Sequence, residues 1–388
     1  MNLETFQREV KDFVAANCPA SMRVGSVHFE DMYDTYAAPD ALSWRDAMAS
    51  RGWTAPTWPT EYGGGGLSPD QHRILVKEMR AIRALPPEFG MGIWMIGPTL
   101  LEFGTQDQKQ RHIPKIVSGA VRWCQGYSEP SAGSDLASVQ TKAVTDGDRF
   151  VINGQKIWTS GAQYADWIFA LVRTNPDVPK HDGISFVLLD MHQPGVTVKP
   201  IRMISGASPF CETFFTDAVA TRDDLIGELN RGWTVGKRLL QFERIASSTL
   251  QLKTSENPYA QIAREYFGQA DGRILDNNVR ERIARQTMLE RTLALTVQRV
   301  TRESRSGSPP GPATSIFKLV GSTASRQGAS LNAELRGTAG IGWEGDGFTN
   351  EEIESRRAWL DERAATIYGG TNEVQLNIIA KRVLGLPD

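Results

Sequence analysis

Residues 123–167 read WCQGYSEPSAGSDLASVQTKAVTDGDRFVINGQKIWTSGAQYADW. Within this stretch Ser128–Asp135 is a loop of small residues, and small side chains let a main chain and its N–H donors come close to a ligand. Asn153-Gly154 then reads as a turn, and Ile157-Trp158-Thr159-Ser160 beyond it as a strand. From such a strand an indole can cover a ring system and a hydroxyl can reach a ring nitrogen. A close-approach loop joined to an aromatic-bearing strand suits a flat cofactor.

On either side of this stretch the chain changes character twice. Up to about Arg122 the apolar spacing is helical, interrupted at Pro56, Pro59 and Gly63–Gly66, with Ser68-Pro69-Asp70 reading as the start of the next helix. From Trp123 to Ile226, short β-branched or aromatic runs alternate with turn signals: Arg149–Ile152, Trp167–Val172, Ile184–Leu189 and Val196–Val198. Long amphipathic patterns then return, including Asn278–Glu303 and Ser315–Leu335, punctuated by Ser306–Gly311. The expectation is an α+β chain with a helical domain over 1–122, an antiparallel β domain over 123–226 and a helical bundle over 227–388. Neither repeats nor disordered tails are expected.

Composition narrows the function classes. Acids (45) and bases (43) nearly cancel across 388 residues and are interspersed, so no basic run suggests a nucleic-acid or membrane footprint. Cys18, Cys124 and Cys211 are odd in number and far apart, and neither they nor the five histidines show metal-ligand spacing, so no metal and a reducing compartment are expected. The most apolar segment, Gly90–Leu101, is too short and too broken by Gly and Pro to span a bilayer, and the N-terminus has no signal-peptide pattern. The expected location is the cytoplasm.

Four motifs carry a family resemblance: Trp123–Asp135 with Gly154–Ser160, Ala365–Gln375 (ATIYGGTNEVQ), Trp58–Gly64 (WPTEYGG) and Gly104–Lys109 (GTQDQK). In this order they resemble the acyl-CoA dehydrogenase family, with Ser128 and Ser160 standing where threonines are usual. The resemblance implies FAD as cofactor, held by Gln125, Tyr127, Ser128, Gly133, Trp158, Ser160, Thr371 and Glu373. It implies an acyl-CoA thioester as substrate, met by Ser134, Arg244, Tyr368 and Gly370, although a carrier-protein thioester fits equally well. An electron-transfer flavoprotein is the implied electron acceptor.

One departure bears on mechanism. Many family members carry the catalytic glutamate between the terminal tyrosine and glycine, where this chain has Gly369. A subgroup that includes isovaleryl-type and long-chain-type enzymes places the base on a different helix. Gln241-Phe242-Glu243-Arg244-Ile245-Ala246 lies at the equivalent place here, and its flanks Leu239, Leu240, Phe242, Ile245 and Ala246 are apolar, which suits a buried general base. Glu243 is therefore the candidate base. Gly369 retains the backbone N–H that the resemblance assigns to enolate stabilisation.

Two further departures concern assembly. The element that reaches a neighbouring subunit's FAD has only a partial echo in Arg264-Glu265-Tyr266-Phe267-Gly268, which reads equally well as an unrelated loop. The second such element is replaced by Glu334–Gly340. The overall pattern is similar to base-bearing large subunits of bacterial dehydrogenases acting on steroid side chains or dicarboxylyl thioesters. It implies either a homo-oligomer or an α2β2 heterotetramer with a second dehydrogenase-like chain. An acyl-CoA oxidase, a flavin monooxygenase and a non-catalytic partner subunit are the alternatives. Met91, Trp94, Met95 and Ile96 are either the lining of an acyl-tail pocket or plain helix core.

Overall fold

The computed structural model describes residues 2–25, 27, 29–250, 258–305 and 315–387, with the side chains of 244–250, 301 and 303–305 outside the description. The Ser306–Gly311 break lies outside the described residues. Two compact units emerge, one running through Met203 and resuming over Ala207–Ser247, the other comprising Ile204–Gly206 and Ser248 onward.

The first unit opens with helices α1 (Leu3–Asn17), α2 (Met32–Ala37), α3 (Pro39–Ala49), α4 (Pro69–Ala81), α5 (Gly97–Phe103) and α6 (Gln106–Val117). Local chemistry sets their starts. Asn2 accepts from the Glu4 and Thr5 amides, and α4 and α6 begin in reciprocal capping boxes, Ser68 with Gln71 and Thr105 with Gln108. Phe6, Val10 and Val14 recur at helical spacing and bury one face of α1 against Trp44, Met48 and Leu75. Met95 and Ile96 are buried in a second core with Leu100 and Ile113, while Met91 and Trp94 pack partly buried against it.

Eight strands follow: β1 (Trp123–Gly126), β2 (Lys142–Asp146), β3 (Arg149–Ser160), β4 (Trp167–Arg173), β5 (Ile184–Asp190), β6 (Val196–Ile201), β7 (Phe210–Thr221) and β8 (Leu225–Ile226). They form one sheet ordered β6-β7-β3-β2-β4-β5-β8, with β1 added beside β4. Pairing is antiparallel except that β1 and the end of β2 run parallel to β4. The strands foreseen from residue 149 to 198 are present. The Asn153-Gly154 turn is not: the hairpin closes earlier, at Gly147-Asp148, and β2 pairs with β3 out to Asn153. Asn153 instead marks a break in the β3–β7 register, where its side chain exchanges two 2.9 Å hydrogen bonds with Asp217.

Helix α7 (Gly232–Leu250) leaves the sheet through a close approach that only glycine permits, since a Cβ on Gly232 would lie 2.2 Å from the Phe186 nitrogen. In the second unit, α8 (Pro258–Phe267), a short hairpin of β9 (Gln269–Ala270) and β10 (Arg273–Ile274), α9 (Asn277–Arg305), α10 (Ser315–Leu335), α11 (Asn350–Asp361) and α12 (Asn372–Ile378) follow in order. Helix α10 packs against all four other helices. Tyr259, Ile262, Ile283, Leu331 and Leu335 form a core shared by α8, α9 and α10.

Candidate active site

Strand β1 directs its alternate side chains to two faces: Trp123 and Tyr127 enter the core shared with α7, whereas Cys124 enters the core on the other side of the sheet. Gln125 lies in phase with Trp123 and Tyr127. Its Nε2 is buried and has no hydrogen-bond partner among the described residues, a donor presented without an acceptor.

Past Tyr127 the chain turns back on itself, with the Glu129 and Ala132 amides and carbonyls exchanging hydrogen bonds at 3.1 and 3.0 Å. The Ser128 carbonyl accepts from the Ile157 amide at 2.9 Å, which ties the loop to β3 one residue before Trp158. Beneath lies a fully buried ion pair. Lys156 Nζ donates to Glu129 Oε1 at 2.7 Å and to the Tyr127 and Leu171 carbonyls at 3.2 and 2.7 Å, while Glu129 also accepts from the Gln140 and Thr141 amides at 2.5 and 2.9 Å. Burial pulls the Lys156 ammonium down to about 8, and the Glu129 carboxylate opposes that shift. Burial pushes the Glu129 carboxyl up, but Lys156 and the donated hydrogen bonds outweigh it and hold the group below the ordinary range. The pair fixes the floor under Ser128–Gly133. Gly133 itself stands clear, with open space where a side chain would be.

Trp158 lies at a second register break between β3 and β7 and has φ +59°. A left-handed backbone is unusual for a bulky residue and costs about 1–2 kcal/mol. The indole is 51% exposed and meets the edge of Phe210 at 6.0 Å. A strained tryptophan held out to solvent, beside a clamped small-residue loop, marks a place built for contact rather than for core packing. Ser160 ends the same strand.

Glu243 lies on α7, seven residues beyond Gly236. That spacing is two helical turns, so both share the face that also carries Leu239 and Leu240. Gly236 abuts Tyr127, whose phenolic O–H donates to the Gly236 carbonyl at 3.4 Å. Burial first, and then the negative charge of Glu243, raise the Tyr127 phenol well above its ordinary value. The Glu243 carboxylate therefore acts electrostatically on the residue that joins β1 to the Ser128–Gly133 loop. The Arg244 side chain lies outside the described residues.

Ser134 is exposed beside Gly133 in the first unit, and the remaining candidates belong to the second. Tyr368 is 57% exposed, with the Lys318 ammonium 5.4 Å from its ring centre. Gly369 and Gly370 follow at φ +64° and +90°. Among the described residues neither glycine amide donates a hydrogen bond, so both N–H groups are available. Thr371 caps α12 by accepting from the Val374 amide at 3.2 Å, and Glu373 lies in the helix's first turn. The structure thus groups Gln125, Tyr127, Ser128, Gly133, Trp158, Ser160 and Glu243 in one unit, and Tyr368–Glu373 in the other. Glu129 and Lys156 are the residues that sequence reasoning passed over. Lys156, alternating in phase with the buried positions of β3, was the available signal.

Among the described residues no helix is long and apolar enough to cross a membrane, no cluster of His, Cys, Asp and Glu could hold a metal, and all three cysteines are free and buried. Residues 2–120, 124–218 and 230–384 match the models described as acyl-CoA dehydrogenase N-terminal, middle and C-terminal domains. The chain is 36% identical over 393 residues to a Mycobacterium tuberculosis protein named acyl-CoA dehydrogenase IpdE1, covering 100% of this chain and 98% of that one. A structure described as the Tcur3481-Tcur3483 steroid ACAD superimposes with a TM-score of 0.80 at 29% identity, over 99% of this chain and 97% of its own. The ChsE4-ChsE5 complex from Mycobacterium tuberculosis gives 0.76 at 30% identity, over 100% and 98%.

Proposed function

This chain belongs to the acyl-CoA dehydrogenase family, and from that premise we propose that it oxidises an acyl-CoA thioester to the trans-2-enoyl thioester with Glu243 as base. The observation that carries this reading is the placement of Glu243 on the α7 face that packs on Tyr127. General-base action needs the carboxylate within hydrogen-bond reach of the α-proton, and α7's apolar flank limits competing water there.

The chain's own groups fit FAD. Gln125 offers a buried donor with no acceptor, the loop after Tyr127 offers small residues on a rigid floor, and Trp158 offers an exposed ring. Ser128, Gly133 and Ser160 complete the set proposed in this unit, and Thr371 and Glu373 are proposed on the family resemblance alone. Bound FAD supplies a hydride acceptor for the β-hydrogen. Glu243 takes the α-proton, and the free Gly369 N–H donates to the thioester oxygen as charge develops there. Tyr368, Gly370, Ser134 and Arg244 are proposed to orient the acyl thioester. Electrons then pass to an electron-transfer flavoprotein.

The ChsE4-ChsE5 complex and the two-protein name of the Tcur3481-Tcur3483 steroid ACAD support a heteromeric reading, and the latter's description supports a steroid-derived acyl group as substrate. On α9, Met288 (68% exposed) and Leu295 (49% exposed) offer apolar side chains that a second chain could cover. The visible spectrum of the chain purified alone, and again after co-expression with a dehydrogenase-like partner, tests both points. We expect a flavin band that bleaches anaerobically when a steroid-derived acyl-CoA is added. Failure of every flavin-loaded form to bleach with any acyl-CoA would overturn the dehydrogenase reading. Full flavin content and activity of the chain alone would overturn the heteromer. Bleaching followed by rapid peroxide formation in air would favour an oxidase.

Trp158 allows a separate check. Trp158→Gly removes about 1 kcal/mol or more of left-handed strain and gives up an exposed edge-to-face contact worth about 1 kcal/mol. The melting temperature of the flavin-free protein should therefore barely move, while flavin retained through gel filtration should fall about tenfold. A large loss of stability with flavin affinity intact would mean that the indole serves the fold.

A further inference from the structure

The second unit contains a cavity that the proposed chemistry does not use. It has a volume of about 440 Å³ and lies along α9 and α10 and beside Arg363, just past the end of α11. Four arginines line it, Arg282, Arg285, Arg326 and Arg363, and its wall contains no acidic residue.

Close helix packing brings these cations together. Gly328 of α10 lies so near α8 that a Cβ there would fall 2.4 Å from the Tyr259 hydroxyl oxygen, and Gln286 of α9 donates to the Ala324 carbonyl at 2.8 Å. Two of the guanidinium groups are neutralised locally. Arg282 pairs with Glu334, and Arg285 with Glu281 one turn away on the same helix. The other two have no carboxylate within ion-pair distance among the described residues.

Arg363 is held in place without being neutralised. Its Nε donates to the Trp359 carbonyl at 3.0 Å, and one terminal nitrogen donates to the Arg326 carbonyl at 3.3 Å and the Ser330 hydroxyl at 3.1 Å. Partial burial and the like charge of Arg326 lower the Arg363 pKa, and the neighbouring Glu362 carboxylate opposes them. All these acceptors are neutral, and Glu362, the carboxylate that acts on Arg363, forms no ion pair with it among the described residues. Two adjacent guanidinium groups repel unless an anion sits between them, and fixing one of them beforehand reduces the entropy lost when that anion arrives.

We infer that this cavity binds a phosphate-bearing anion, a pyrophosphate or nucleotide phosphate group. Phosphate fits better than a single carboxylate because it presents three or more acceptor oxygens to several guanidinium forks at once. The volume admits a diphosphate. The site is independent of the dehydrogenase reading and needs neither Glu243 nor the Trp158 face.

Calorimetric titration of the full chain with inorganic pyrophosphate tests the inference. Saturable binding is expected, weakened at least about tenfold in the Arg326→Gln/Arg363→Gln double variant. Both arginines are exposed, so the fold should tolerate the change, and an unchanged melting temperature checks this. Arg8→Gln, an exposed arginine on α1, should leave binding untouched. If the double variant unfolds, each single variant takes its place, with a loss of several-fold expected. No binding by the parent chain, or equal binding by the parent and the arginine variants, would overturn the site. Competition then identifies the source: displacement of pyrophosphate by coenzyme A alone indicates a coenzyme phosphate, displacement by FAD alone a dinucleotide, and displacement by neither a free pyrophosphate.

Discussion

Glu243→Gln should lower kcat by about 10²–10⁴-fold, the usual contribution of a positioned general base, while flavin content stays at the parent level. The amide has nearly the same shape as the carboxylate, so the packing of α7 on Tyr127 through Leu239 and Leu240 is kept and only proton abstraction is lost. Because the carboxylate acts in the chemical step, kcat should fall with little change in KM. Stopped-flow flavin reduction by acyl-CoA measures that step directly. An unchanged reduction rate would remove Glu243 from the mechanism. Moving the acid to residue 369 in the Glu243→Gln background should recover only part of the rate. At φ +64° a glutamate adopts a backbone that costs about 1–2 kcal/mol, which the native glycine avoids.

The sequence disclosed this region unevenly, for physical reasons. Helix starts were readable where a side chain caps the backbone, as at Ser68, because capping is local chemistry. Ser315–Leu335 was readable because α10 repeats its apolar spacing over many turns. Asn153-Gly154 misled because the same dipeptide that makes a two-residue turn also accommodates a bulge. The choice between them is made by a partner strand more than sixty residues away, through Asp217. Trp158 was recognised by its neighbours, but its left-handed backbone could not be, since no local signal favours that conformation for tryptophan. The second unit's arginine cavity was illegible for a similar reason. Arg282, Arg326 and Arg363 are spread over three segments, and only the close packing of α10 collects them.

Lys156→Met should destabilise the protein by about 3–5 kcal/mol, the cost of leaving one member of a buried ion pair without its partner. Methionine fills much of the lysine's volume, so the loss measures charge and hydrogen bonding rather than a cavity. The Glu129 carboxylate, 4% exposed at its side chain, would keep two amide donors and lose its cation. It would then ionise only at a higher pH, so the variant's stability should fall as pH rises through that new value, because ionisation in the folded state becomes unfavourable. The parent behaves oppositely. Its folded carboxyl lies below the ordinary range, so the pair's contribution is present above the unfolded value and lost as pH falls through the folded one. Chemical denaturation at several pH values distinguishes the two slopes. Replacing both partners, Lys156→Met with Glu129→Leu, should recover part of the lost stability, since no unpaired charge remains. That double variant should nevertheless retain flavin poorly. Glu129 also anchors the Gln140 and Thr141 amides, and the loop from Ser128 to Gly133 would lose the electrostatic floor that holds it against β3. Equal flavin retention by the double variant and the parent would show that apolar packing alone suffices to place the loop, and that the ion pair's contribution is to stability.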